Sequence, residues 1–301
     1  MNANSTLDPQ AALTFGFEVP QVFAGPADIE VIRRVAVAAE AAGFADIWLS
    51  DSASGGPTLD PLTLLPFLAA VTSRVRLGVS VLVLPVHHPL HLARRIATVD
   101  ALSAGRLTVG VGLGGAWDPG YGMPAGHRLG QFLDVFRGTD ALLRNAPQEY
   151  RGAFDLSATA AGPPSVQLPR PPIWFGATAE AGVRRAARDA DGWMAAGASD
   201  IEAFERNTPI LREELERAGR DPSDFPVSKR VYFAVEAADA PPRPEGGPRP
   251  VVWRSSADCV EYLSRLARAG ATHVLLNPVS DFEQQLEAVL PWLREFGAQT
   301  S

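Results

Sequence analysis

Residues 75–115, with the sequence VRLGVSVLVLPVHHPLHLARRIATVDALSAGRLTVGVGLGG, decide the fold of this chain. The run 77–84 is almost continuously apolar and rich in β-branched residues, which is typical of a parallel strand buried on both faces. Apolar residues then recur at helical spacing over 89–99, and a second apolar run follows at 107–111. The stretch therefore predicts a strand–helix–strand unit that ends in a glycine-rich segment.

The same alternation continues on both sides of this unit. It predicts strands at 13–19, 44–50, 77–84, 107–111, 172–177, 192–196, 227–236 and 273–277. A helix is predicted after each strand. A loop at 240–250, rich in Pro and Gly, lies between the seventh strand and the seventh helix. Eight such units in one domain-sized chain favour a closed (β/α)8 TIM barrel, an α/β fold, over a doubly wound open sheet. The open sheet is the alternative, but the first strand lacks the GxGxxG motif that a dinucleotide-binding sheet carries there.

The predicted domain organisation is simple. We expect residues 1–11 to be a disordered N-terminus and residues 12–301 to form a single barrel domain. Helical periodicity lapses over 146–171, after the fourth βα unit. A segment of that length without periodicity is usually functional or disordered, so we interpret it as an insertion near the active site.

Composition excludes several classes of partner. The net charge is −7 and no long basic run occurs, which argues against nucleic acid and anionic membranes and favours a small-molecule substrate. A single cysteine, Cys259, leaves no intrachain disulfide possible, and we expect it to be a core residue. The N-terminal residues lack the pattern of a secretory signal, and no apolar run approaches the roughly 20 residues of a membrane helix. We therefore expect a cytoplasmic protein.

Glycines cluster where the fourth strand ends, at Gly110, Gly112, Gly114 and Gly115. Without a Cβ atom, such a segment lets a planar ring or a phosphate approach the backbone closely. Glycines also let a barrel strand bend, and the motif taken alone leaves both interpretations open.

Residues 75–115 resemble the luciferase-like family of flavin- and coenzyme F420-dependent oxidoreductases, which share the HP turn, the "AT.D.LS.GR" helix end and the "GVG.G" segment in this order. A second resemblance covers residues 171–193, PPIWFGATAEAGVRRAARDADGW. In the family, the backbone after this strand holds the cofactor phosphate, which implies binding by Gly176, Ala177 and Thr178. The start of a helix, where free N–H groups favour an anion, suits that role, and an ordinary strand-to-helix turn is the alternative.

The resemblance also implies where the cofactor ring lies. F420-dependent members carry a bulge with a non-prolyl cis peptide, which backs the deazaflavin ring, at the position of Ser80-Val81. Plain β structure is the alternative. With Gly112, Leu113 and Gly114, these residues form the predicted ring site for F420, or alternatively for FMN.

The chain departs from its relatives in acid–base residues. Alcohol and sugar-phosphate dehydrogenases of the F420 group carry an Asp–His pair where this chain has Asp51-Ser52, and a glutamate where it has Gly115. Alcohol oxidation needs a base, so we expect instead reduction of an activated C=C or C=N bond, or flavin-dependent oxygenation. Asp51 is the remaining catalytic candidate, and it either caps a turn or relays a proton. Glu18 and Asn277 also lie at predicted carboxyl ends of strands, where barrel active sites form.

Three histidines, His87, His88 and His91, raise the possibility of a metal site. The first strand of barrel metallohydrolases carries a His-x-His motif that is missing here, and no carboxylate pairs obviously with the three. We therefore predict a packing role for them and no metal.

Three functions remain open: F420-dependent hydride transfer to a small organic substrate, an FMN-dependent monooxygenase supplied by a separate flavin or F420 reductase, and a flavin-binding barrel without turnover. The resemblance further implies a homodimer. In support of it, Leu62, Leu65 and Leu68 would give the second helix an apolar surface.

Overall fold

The computed structural model describes residues 13–23, 25–53, 57–115, 121, 126–156, 162–197, 200–235 and 250–300. The predicted disordered segment 1–11 lies outside these residues, as does most of the predicted loop at 240–250.

The described residues form nine strands and eight α-helices. The strands are β1 (Thr14–Glu18), β2 (Asp46–Leu49), β3 (Arg76–Val83), β4 (Leu107–Gly112), β5 (Ile173–Gly176), β6 (Gly192–Ala195), β7 (Val227–Val235), β8 (Val251–Trp253) and β9 (His273–Pro278). The helices are α1 (Ile29–Ala42), α2 (Pro61–Val71), α3 (Pro89–Leu102), α4 (Arg128–Leu143), α5 (Glu180–Asp189), α6 (Ile201–Arg217), α7 (Ser256–Arg268) and α8 (Phe282–Thr300).

The strand order identifies the fold. It runs β6-β5-β4-β3-β2-β1-β9-β7-β8, and an additional pairing joins β6 to β7. Eight strands thereby close into a ring with β8 as an extra strand on β7, and the strand alternation with helices makes this a (β/α)8 TIM barrel. The predicted barrel is confirmed and the open-sheet alternative is wrong. Strand β8 was not predicted, because three residues are too few to show a period.

The chain divides into two compact units. The first includes the described residues of Met1–Pro20, Asp28–Trp48 and Trp174–Ser301, and the second those of Gln21–Ala27 and Leu49–Ile173. Each has its own buried apolar residues, such as Phe17 and Leu276 in the first and Leu77 and Leu82 in the second. Polar side chains start several helices by accepting a hydrogen bond from the first turn, as is usual for N-caps; these are Asp28, Asp60, Asp200 and Ser255.

The leucines offered as a dimer surface are buried within the chain itself. Leu62 is 4% exposed, and Leu65 and Leu68 are completely buried. Six of the eleven residues of α2 are buried, including all three of these leucines, so the leucines do not form a free apolar surface. The argument from these leucines is therefore wrong, and the homodimer stays a prediction from resemblance alone.

Two further expectations concern single features. Cys259 is fully buried on α7, as predicted for a core residue, and burial raises the pKa of its thiol to about 12. Among the described helices, none combines the length and the apolar character that crossing a membrane would require.

Candidate active site

Strand β3 is irregular at the predicted ring-binding position. Its register against β4 shifts between Val79 and Leu82, and the peptide bond from Ser80 to Val81 is cis. Ser80 is buried, whereas Val81 is partly exposed. The predicted bulge is confirmed, and the alternative of plain β structure is wrong.

The chain emerges from the sheet directly after β4. Every residue of β4 is buried, but Leu113, Gly114 and Gly115 are exposed, and Leu113 keeps 39% of its surface. Gly114 has a φ of 70°, in the left-handed region that favours glycine. A Cβ atom added at Gly115 would meet none of the described residues within 4 Å. The Arg128 guanidinium donates to the carbonyl of Gly115 at 2.7 Å at the edge of this surface, and the exposed Leu113 and Gly114 could hold a flat aromatic ring.

The register places the bulge between the pairs Val79–Val109 and Leu82–Val111, beside β4, and the exposed segment follows where β4 ends. Val83, the last residue of β3, pairs with Gly112, the last residue of β4. The structure thus brings together five of the predicted cofactor-binding residues: Ser80, Val81, Gly112, Leu113 and Gly114.

Asp51 joins the segment after β2 to the same end of β3. One carboxylate oxygen accepts the N–H of Ser52 at 2.8 Å, and the other accepts the N–H of Val83 at 2.9 Å. Burial by itself would raise the pKa of this carboxyl, but His87 and the N–H groups of Val83 and Ser52 outweigh burial and lower its pKa. Asp51 is therefore an anchored, ionised carboxylate, which supports the capping role.

Gln21 is a positioning residue that the sequence did not reveal. Its buried side-chain amide donates to the carbonyl oxygens of Ser50 at 3.0 Å and Leu59 at 2.9 Å. These bonds hold the segment that contains Asp51 on both sides. A lone glutamine in a loop carries no sequence signal for this role.

The predicted phosphate site is at the start of α5. The N–H of Ala177 donates to the carbonyl of Met194 at 3.1 Å, so it is already used in the sheet and cannot be the free donor that the sequence suggested. Thr178 and Ala179 are exposed, and among the described residues no side chain caps α5. Asn207 donates to the carbonyl of Thr178 at 2.8 Å and fixes the turn.

A largely buried ion pair joins Glu18, the last residue of β1, to Arg230 in the middle of β7. Glu18 lies 2.7 Å from Arg230, whose guanidinium lies 4.8 Å from the ring centre of Tyr232. Asn277 is buried and pairs in register with Tyr232. The candidate Glu18 is thus neutralised by an arginine that the sequence analysis did not single out, because the two residues are 212 positions apart.

The structure sets His87 apart from the other two histidines, because the rings of His88 and His91 contact each other edge to face with their centroids 5.9 Å apart. His88 Nδ1 accepts the N–H of Leu90 at 3.3 Å at the start of α3, and its ring packs edge-on against Phe154. The predicted packing role is confirmed for His88. His87 instead faces Asp51, with 3.8 Å between Nε2 and Oδ2. Within the described ranges, no group of three or more His, Cys, Asp or Glu residues is arranged to hold a metal ion.

Comparisons with known proteins agree with this architecture. The family model described as luciferase-like monooxygenase matches residues 13–241. An uncharacterized protein of Mycobacterium tuberculosis (strain ATCC 25618 / H37Rv) is 35% identical over 226 residues, which are 70% of this chain and 76% of that protein.

Solved structures with the same fold include two enzymes. The monooxygenase RslO1 from Streptomyces bottropensis superposes with a TM-score of 0.77 at 19% identity, over 93% of this chain and 98% of that one. The coenzyme F420-dependent tetrahydromethanopterin reductase from Methanopyrus kandleri gives 0.75 at 20% identity, over 92% and 97%. The family match over most of the chain, together with the barrel, shows that this chain belongs to the luciferase-like monooxygenase family.

Proposed function

We propose that this chain is an oxidoreductase that binds coenzyme F420 and transfers hydride to an activated C=C or C=N bond of a small organic substrate. The observation that carries the proposal is the exposed segment Leu113 to Gly115 at the end of β4, together with the bulge at Ser80-Val81 on the neighbouring strand β3. Family membership supports an enzyme that uses a flavin-type cofactor.

The residues present suit such a ring. One face would lie against the partly exposed Val81, and the exposed Gly114 and Gly115 carry no Cβ that would hinder close approach of the ring to the backbone. A bound cofactor would supply the hydride. The protein would supply binding, orientation and a proton, which is the usual division of labour in cofactor enzymes.

We propose separately that the cofactor phosphate binds at the start of α5, near Gly176, Ala177 and Thr178. With the Ala177 N–H engaged in the sheet, the N–H groups of Thr178 and Ala179 are the proposed donors. The positive end of the helix dipole favours an anion at this place.

An FMN-dependent monooxygenase is the second candidate. The fold similarity to a monooxygenase supports it to the same degree as the similarity to the F420-dependent reductase, and FMN carries the same kind of ring and phosphate. In that case a separate reductase would supply reduced flavin. The choice of F420 rests on the bulge at Ser80-Val81, since F420-dependent members of the family carry a bulge at this position.

A fluorescence titration tests the proposal. Purified protein is titrated with F420 and, in parallel, with FMN, and quenching of each cofactor's emission is followed. The proposal predicts saturable quenching with F420. The dissociation constant for F420 should be at least tenfold lower than that for FMN. Tighter binding of FMN would favour the monooxygenase, and the absence of binding to both would indicate a barrel without this activity.

A further inference from the structure

His87 differs from its neighbours in its surroundings. It follows the short 3₁₀ turn Leu84–Val86 at the end of β3, and its backbone N–H donates to Leu84 at 3.1 Å. This places it at the same end of β3 as the bulge and the open glycine surface. His88 caps a helix and His91 is exposed, so neither shares this environment.

The ring of His87 is only 17% exposed on its side-chain surface. Its Nε2 atom is buried and has no hydrogen-bond partner among the described residues. Buried polar atoms nearly always have such a partner, so this one requires an explanation. The carboxylate of Asp51 at 3.8 Å is close enough for an ion pair and too far for a hydrogen bond. Catalytic hydrogen bonds are often this long without substrate and shorten in the complex.

Asp51 is poorly suited to donate a proton itself. Both of its oxygens accept backbone N–H groups, which hold the carboxylate in one orientation and favour its ionised form. An anchored negative charge beside an imidazole can instead orient the ring and fix which of its nitrogens faces the carboxylate.

We infer that His87 is the proton donor of this site and that Asp51 is its positioning residue. The inference rests on the proposed function. The dehydrogenases of the F420 group carry their histidine directly after the aspartate, where this chain has Ser52. Here the histidine paired with Asp51 comes instead from the turn after β3.

The chemistry balances as a two-electron reduction. The substrate carbon accepts a hydride from the reduced deazaflavin or flavin, and the π electrons of its double bond move to the second atom of that bond. The N–H bond of the His87 imidazolium breaks, and its proton forms a new bond to that second atom. Neutral imidazole remains and regains a proton from solvent.

Three variants test the inference. His87→Gln keeps a polar side chain of similar size but cannot carry the proton, Asp51→Asn removes the positioning charge, and His91→Gln is the matched surface control. Turnover is measured with reduced F420, or reduced FMN if that binds, and 2-cyclohexen-1-one as an activated alkene. We expect kcat to fall at least 100-fold in His87→Gln and at least tenfold in Asp51→Asn. Cofactor affinity should stay within twofold, and His91→Gln should match the parent.

A spectroscopic measurement tests the pair without turnover. In protein labelled with ¹⁵N-histidine, the ring nitrogen shifts of His87 should change in Asp51→Asn and again on addition of the oxidised cofactor, whereas those of His91 should not. Nitrogen shifts of His87 that stay the same in both cases would overturn the inference, and so would turnover in His87→Gln within twofold of the parent.

If the parent binds neither F420 nor FMN, the proposed function fails and the donor role fails with it. If the parent binds a cofactor but the His87→Gln turnover and the His87 nitrogen shifts are unchanged, only the donor role fails. If the parent does not reduce the chosen alkene, the nitrogen shifts alone decide whether His87 has the proposed role.

Discussion

The carboxylate of Asp100 accepts hydrogen bonds from both the backbone N–H of Gln167, at 3.1 Å, and its side-chain amide, at 2.8 Å. The same carboxylate accepts the N–H of Val166 at 2.7 Å. Asp100 is completely buried near the end of α3, so it fastens the carboxyl-terminal part of the segment 146–171 to that helix. The aspartate of the "AT.D.LS.GR" motif is thereby explained as a structural anchor.

We predict that Asp100→Asn lowers the free energy of unfolding by about 2–4 kcal/mol, because an amide replaces a charged acceptor that faces three donors. Urea unfolding measures this change, and hydrogen exchange at Val166 and Gln167 should accelerate. The exposed Asp189→Asn on α5 is the control and should change stability by less than about 0.5 kcal/mol. Equal effects in the two variants would contradict the anchor.

The stability that Asp51 contributes should depend on pH in a defined direction. The pKa of its carboxyl is lowered in the folded protein from the usual value of 3.8, so folding favours the ionised form. The contribution is therefore complete above that value and is lost as the pH falls through the lower, folded-state pKa. We predict that wild type is more stable than Asp51→Asn at pH 6 and that the difference shrinks below about pH 4. A difference that grows on acidification would show that the pKa is raised.

Substitution of Gly114 by leucine should abolish cofactor binding without unfolding the protein. The leucine side chain would occupy the open surface after β4 where the ring is proposed to lie. Because Gly114 has a φ of 70°, the substitution also strains the backbone, and Gly219→Leu is a control matched in backbone conformation, with a φ of 69°. Both variants should lose similar stability in thermal unfolding, and only Gly114→Leu should lose affinity. Unchanged affinity would remove the ring from this surface.

A negative charge at Thr178 should weaken binding of the phosphate. We predict that Thr178→Glu lowers the affinity for the phosphate-bearing cofactor about tenfold or more, since it places a second anion at the start of α5. Affinity for riboflavin, or for the deazaflavin chromophore without its phosphate, should not change. Equal loss for ligands with and without phosphate would mean that the variant acts through the fold.

Periodicity and motif order predicted the architecture well, for a physical reason. Buried parallel strands are continuous apolar runs and the helices between them repeat every three to four residues, so each unit is visible locally. The predicted starts and ends lie within a few residues of the structure, as for β3 at Arg76–Val83. The bulge at Ser80-Val81 was predicted only by resemblance, because its residues look like any buried strand.

What the sequence concealed depends on contacts between distant segments. His87 and Asp51 are 36 positions apart, and only the fold shows that they face each other. The free N–H predicted at Ala177 was wrong because a strand partner, Met194, accepts its hydrogen bond. Local sequence patterns predict which residues form strands, but they do not predict which distant residues those strands bind.

A crystal structure of the protein with bound F420 measures the central claim most directly. The account predicts the deazaflavin ring against the Ser80-Val81 bulge, with ring atoms within van der Waals distance, about 3.5–4 Å, of the backbone at Gly112 or Gly114. A ring bound elsewhere, with Leu113 and Gly114 still open to solvent, would contradict it.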